Sequence, residues 1–237
     1  MLLETLSIAE RFCGPPLSGN GGYVCGRIAR HIAGCASVRL LAPPPLDTEL
    51  ALQRGADGAV RLMADASVIG EGRAARLELA VPPAPTLAEA EQAARNYLGF
   101  RQHSFPGCFV CGPQRHAGDG MRIFPGPLPG QALVAAPWVV DPGLAAPEFL
   151  WAALDCPGAF ALLPLEPGTT LVLGQLTARI DGEVRPGEHC VVMAWPLGIE
   201  GRKHLAGSAV FSAAGQLLAV AQATWIAVPE RAFQPEG

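Results

Sequence analysis

Apolar and polar positions fall into the same order twice along the chain. Over Asn20 to Val81, and again over Pro147 to Ile226, an apolar stretch is followed by segments in which apolar and polar residues alternate. Behind Asn20, the residues Tyr23, Val24, Ile28 and Ile32 recur on one face of a helix, and Asn is a strong N-cap residue. A second helix is predicted over roughly Pro147 to Leu163. Ser37 to Leu41 and Gln175 to Ile180 alternate with the period of 2 expected of half-buried strands. Leu62 to Gly72 aligns without gaps on Leu205 to Gly215, and both read as a strand, a turn glycine and the next strand. One helix followed by several strands, twice over, predicts an α+β fold. A doubly wound sheet would need a helix between every two strands.

Pro82-Pro83-Ala84-Pro85 stops the last strand of the first half, and Thr86 to Arg95 is rich in helix formers behind a Thr N-cap. The expected organisation is therefore an N-terminal unit (1–81), a linker helix (82–100) and a C-terminal unit (101–237). Met121 to Phe124 and Ala132 to Ala135 read as a strand pair around the loop Pro125 to Gly130. Hydrophobic residues make up 50% of the chain and charged ones 16%, so much apolar surface has to be hidden. An extensive interface between the halves and a homodimer are expected. The net charge of −4 gives no footprint for nucleic acid. Glu4, Glu10 and Arg11 interrupt the first residues where a secretion signal would be apolar, and Leu144 to Leu165 is broken by Pro147, Glu148, Asp155 and Pro157. No membrane association and a cytoplasmic location are expected. The seven cysteines form an odd, scattered set, which suits reduced thiols.

Asp155 is the first candidate for chemistry. A lone carboxylate within Phe149 to Phe160 should be desolvated, which raises its pKa unless hydrogen bonds or a cation hold the charge. Pro157 cannot donate to the Ala153 carbonyl, so the helix should kink or open there and present the carboxylate to a cleft. Asn20-Gly21-Gly22 is the second candidate. Glycine N–H groups at the positive end of a helix can approach a carbonyl oxygen closely and stabilise charge developing on it.

Together with Cys108-Phe109-Val110-Cys111-Gly112-Pro113 and the closing strand Ala221 to Ile226, Ala152-Ala153-Leu154-Asp155 resembles segments of the hotdog-fold acyl-CoA thioesterase superfamily, in its fused double-hotdog form. The resemblance implies two antiparallel sheets, each wrapped around a central helix and joined edge to edge as an intramolecular pseudo-dimer. It also implies a site whose helix-start motif and carboxylate, about nine positions further along the helix, come from opposite units. Here the residue nine beyond Asn20 is Ala29, and the residue nine before Asp155 is Ala146, followed by Pro147. Each half keeps what the other lacks. The resemblance thus implies one complete site, Asn20, Gly21 and Gly22 facing Asp155 across a cleft, and one vestigial site. Its chemistry would be hydrolysis of an acyl-CoA or similar thioester: a glycine N–H polarises the carbonyl, Asn20 orients the carbonyl or the water, and Asp155 acts as general base or as nucleophile.

Substrate-binding roles are expected for Gln175, as a partner of Asp155, and for Arg202, Lys203 and His204 at a hairpin, as contacts for the phosphates of coenzyme A. No cofactor is expected. His103, Cys108, Cys111 and His116 could be four ligands in order, but their spacing is not a standard zinc spacing, so the expectation is no metal, with both cysteines packing or turning the chain. The alternatives are a non-catalytic acyl-CoA or small-ligand binding protein and a double-hotdog enoyl-CoA hydratase. The hydratase pattern needs a His five residues after its Asp, where this chain has Phe160.

Overall fold

The computed structural model describes residues 1–233. The first half holds β1 (Leu2–Leu6), α1 (Gly21–Ala29), β2 (Ala36–Leu40), β3 (Leu50–Arg54), β4 (Val60–Ala64) and β5 (Ser67–Ala74). Helix α2 (Leu87–Ala94) follows, as its predicted N-cap required: Thr86 and Glu89 exchange hydrogen bonds in a capping box. The second half holds β6 (Gly126–Pro127), β7 (Val134–Val139), α3 (Pro147–Ala153), α4 (Cys156–Ala161), β8 (Thr169–Ile180), β9 (His189–Glu200), β10 (Lys203–Ser212) and β11 (Leu217–Pro229).

Among these residues the strands form one sheet in the order β1-β3-β4-β5-β2-β8-β11-β10-β9-β7-β6, with every pairing antiparallel. The two sheets expected from the sequence are thus one. They merge where β2 meets β8, from Ala36 opposite Ala178 to Arg39 opposite Gln175, and the Ser37 and Thr177 hydroxyls lie 2.8 Å apart across the join. Two edges that would each expose unpaired N–H and C=O groups satisfy one another.

Two local expectations are corrected. Gly72 makes no turn: it lies within β5, where a Cβ would come within 2.8 Å of both Ile28 and Ile32, so the glycine makes room for α1. The chain instead turns at Asp65-Ala66, with Asp65 at φ 49°, whereas Gly215 does turn at φ 82°. Met121 to Phe124 is not a strand. Arg122 sits at φ 55°, and the Met121 and Ile123 N–H groups donate to Phe109 and Val110 carbonyls instead of to a ladder.

The helices cover the sheet from both sides. α1 packs on α3 through Gly22 and Gly26, one turn apart: a Cβ on Gly22 would lie 2.6 Å from the Trp151 carbonyl oxygen, and one on Gly26 would lie 2.6 Å from the Glu148 Cα. Such a bare face lets two helix backbones approach as side chains would not. Every α3 residue from Glu148 to Ala153 is buried, as an all-round apolar helix should be. On the other face, α2 covers β7 and β9, with Ala90 and Ala93 in a second core alongside Val191, Met193 and Trp195. Covering β9 on both faces explains why Cys190 to Trp195 is a continuous buried run and not an alternating one.

Candidate functional site

The expected break in the second helix occurs at Asp155. α3 ends at Ala153 with Leu154 as its C-cap, Asp155 takes φ −79° and ψ −84°, and α4 begins with Cys156 and Pro157, whose missing N–H falls in a first turn where none is needed. The break leaves the Leu154 carbonyl without its helical donor, because the Gly158 N–H bonds the Asp155 carbonyl. The buried Ser208 hydroxyl on β10 donates to Leu154 at 2.7 Å instead. A backbone cost inside the core is thereby met by a side chain from the sheet.

Asn20 caps α1 as predicted: its Oδ1 accepts from the Tyr23 N–H at 2.9 Å. That bond fixes the orientation of the amide and turns Nδ2 towards Asp155. Asn20 Nδ2 and the Gly22 N–H then both donate to Asp155 Oδ2, at 3.0 Å and 2.9 Å. Residues far apart in sequence meet directly, with no cleft between them. The other carboxyl oxygen, Oδ1, is buried without a hydrogen-bond partner. Asp155 is 2% exposed, and burial is the main cause that pushes its pKa up to about 7. The Gly22 N–H pulls it down, the nearby Cys108 raises it and Asn20 lowers it.

Asn20, Gly21 and Asp155 open on a cavity of about 840 Å³ walled by Leu40, Phe160, Leu163, Leu171, Leu173 and Trp225. The volume is in the range of small-molecule sites. Gly22 spends its N–H on Asp155, whereas no described residue accepts from the Gly21 N–H. Gly21 thus lines the cavity with an N–H that no described acceptor uses.

The other expected contacts are elsewhere. Gln175 pairs across strands with Arg39 and Thr224, does not line the cavity and makes no hydrogen bond to Asp155. Arg202, Lys203 and His204 follow the Gly201 turn, as expected, but none of them lines the cavity. Among the described residues its one guanidinium is Arg101, and Glu166 and Glu230 also line it. Sequence reasoning missed Arg101, Ser208 and the approach of Cys156 to Cys108, whose sulfurs lie 3.6 Å apart. The sole advance signal for Cys156 was its place beside the helix-opening proline.

No family model matched the chain, and no curated protein matched it. Solved structures did. A conserved protein of unknown function with a hot dog fold from Alicyclobacillus acidocaldarius superposes with a TM-score of 0.62 at 11% identity, covering 96% of each chain. The chain has a hotdog fold. An acyl-CoA thioesterase II from Mycobacterium marinum superposes on this hotdog protein with a TM-score of 0.57 at 15% identity, covering 97% of this chain and 96% of that one. A tesB protein from Mycobacterium avium subs paratuberculosis gives 0.55 at 13% identity over 89% and 88% of the two chains. No helix of this hotdog chain is long and apolar enough to cross a membrane among the described residues.

Proposed function

We propose that this protein hydrolyses acyl thioesters, of the acyl-CoA class, at a single composite site. The observation that carries the reading is the Asp155 carboxyl pinned through one oxygen by Asn20 and Gly22, with the other oxygen unpaired, beside Gly21, which lines the same apolar cavity and whose N–H is unused. The acyl chain lies against the leucines and Trp225, and the thioester carbonyl accepts from Gly21 at the positive end of α1, which stabilises the developing oxyanion. The Asp155 carboxylate either takes a proton from the attacking water or attacks the carbonyl to give a mixed anhydride that water then hydrolyses; in both routes the C–S bond breaks and the thiolate leaves, taking up a proton from Asp155 or from solvent. Asn20, committed to the cap and to Asp155, positions the carboxyl.

The two halves act as an intramolecular pseudo-dimer in this reading, with α1 and α3 as counterparts packed at the seam and β2 and β8 as counterparts paired across it. The counterpart of the site is vestigial, since Ala29 replaces the carboxylate and Ala146 precedes Pro147. The name of the Mycobacterium marinum neighbour, an acyl-CoA thioesterase II, supports the substrate class. Arg101 takes over the phosphate-contacting role first assigned to Arg202 and Lys203.

The test is release of free thiol from short, long and aromatic acyl-CoAs. Asp155→Asn should lower turnover by about 100-fold or more, the scale of losing a positioned acid–base group. Saturable acyl-CoA binding with no turnover beyond that of Asp155→Asn would replace this reading with that of a binding protein.

A further inference from the structure

Three thiols from two separate segments meet beside the Asp155 carboxyl. Cys108 and Cys111 sit in the loop ahead of β6, and Cys156 is the first residue of α4. Their sulfurs all lie within 4.8 Å of one another, with Cys108 and Cys156 at 3.6 Å, and all three residues are buried and line the cavity. The loop is well held: the Gly112 N–H donates to the Cys108 carbonyl, the Phe109 N–H to the Cys13 carbonyl, and the Tyr97 hydroxyl to the Cys111 carbonyl.

Two N–H donors face this sulfur group. Asn20 Nδ2 is 3.9 Å from Cys108 Sγ and 3.7 Å from Cys156 Sγ, and His103 Nε2 is 3.4 Å from Cys111 Sγ. The Phe105 N–H donates to His103 Nδ1 at 3.0 Å, so the proton of the neutral ring sits on Nε2 and points at sulfur. A thiol is a weak acceptor, whereas metal-bound thiolates are commonly surrounded by such donors. Packed thiols could be buried without them. Buried thiolates need both the donors and a cation to balance their charge. The spacing suits a soft divalent ion as well: a tetrahedral centre with metal–sulfur bonds of about 2.3 Å puts its sulfurs about 3.8 Å apart.

We propose that Cys108, Cys111 and Cys156 bind one thiophilic divalent metal of the zinc class. The three thiols lose their protons on binding, and the fourth coordination position faces the cavity. His103 stays a donor to Cys111 and is not a ligand. The expectation of no metal weighed a different set, which included His116; that residue is exposed and lies outside the sulfur group, while Cys156 could not be placed there from spacing.

The test uses the full chain purified under reducing conditions without a metal-binding tag. Mass-spectrometric metal analysis, as isolated and after zinc reconstitution, should find about one zinc per chain. Cys156→Ser and Cys111→Ser should each lower that content about tenfold or more, and the half-buried Cys35→Ala should leave it unchanged. Because either serine variant could fold poorly, wild-type apoprotein is also titrated with cobalt. Thiolate-to-cobalt charge-transfer absorption that saturates near one equivalent supports the site. Metal far below stoichiometry after reconstitution, with no charge-transfer band, overturns it, and so does a Cys108–Cys156 disulfide that persists in reductant. Metal content is read without turnover, so the outcome is independent of the thioesterase reading.

Discussion

Replacing Gly22 with Ala sets helix propensity against packing, with opposite signs. In an open helix the change would stabilise the protein by up to about 1 kcal/mol, because Ala loses less backbone freedom than Gly. At Gly22 the new Cβ would lie 2.4 Å from the Asp155 Cβ, 2.6 Å from the Trp151 carbonyl oxygen and 3.0 Å from the Ala152 Cα. Two of these neighbours are backbone atoms that no rotamer change can move. Comfortable carbon contacts lie at about 3.5–4.0 Å, so α1 has to move away from α3 by about 1 Å. Overpacking of this kind costs up to about 3 kcal/mol, which leaves a net loss of about 2 kcal/mol. For a chain of this size that lowers Tm by about 4–8 °C. The same shift lengthens the Gly22 and Asn20 bonds to Asp155, and a misplacement of about 1 Å at a reacting group can cost about 100-fold in rate. Gly21→Ala is the control. Its Cβ would meet only side-chain atoms of Leu173 and Leu40, at 2.9–3.3 Å, so its stability should stay within about 1 kcal/mol of wild type while turnover falls because the carbonyl oxygen's approach is crowded. Thermal and urea unfolding followed by circular dichroism, together with thiol release from acyl-CoA, measure both effects. A Gly22→Ala protein as stable as wild type, or a Gly21→Ala protein that is the less stable of the two, would refute the packing argument.

Ser208→Ala should destabilise the protein by about 1–3 kcal/mol in urea unfolding, because the Leu154 carbonyl at the helix break is left unpaired in the core. Asp155→Asn should fold with near-wild-type unfolding while losing about 100-fold or more in hydrolysis, since an amide oxygen can still accept from Asn20 and Gly22. Burial pulls the Glu4 pKa up, but hydrogen bonds from His31 and Arg27 outweigh it and hold the carboxyl below its usual 4.5. Its contribution is therefore present above that pH and lost as pH falls through the lowered value; Glu4→Gln should cost about 1 kcal/mol or less at neutral pH and nothing once both forms are protonated, as paired pH-dependent unfolding curves would measure.

Local chemistry could be read from the sequence, and long-range juxtaposition mostly could not. Asn20 announced the start of α1 because a cap is a property of four consecutive residues, and Pro157 announced the helix break for the same reason. Asp155 stood out because a charge inside an apolar stretch has few tolerable environments. Gly72 misled because a glycine can mark either a turn or a close approach, and only the position of Ile28 separates the two. Gln175 and the charges after Gly201 were assigned by topology, yet which residues reach the cavity depends on sheet twist and strand register over many residues. Cys108 and Cys156 come from segments whose meeting depends on how the loop ahead of β6 crosses the end of α4, which no local pattern encodes.

The hydrogen bonds from Asn20 and Gly22 to Asp155 fasten α1 to a helix break up to 135 residues away, so these groups serve folding whether or not a substrate is ever bound. Natural selection would then keep them in a lineage that had abandoned turnover, much as a keystone outlasts the use of its building. Drift after such a loss would begin elsewhere, at Gly21, whose N–H has no structural partner, and along the leucine wall. Among descendants of this chain, a change of use would therefore show first in the lining of the cavity, while the Asn20–Gly22–Asp155 contact would persist for its part in the fold.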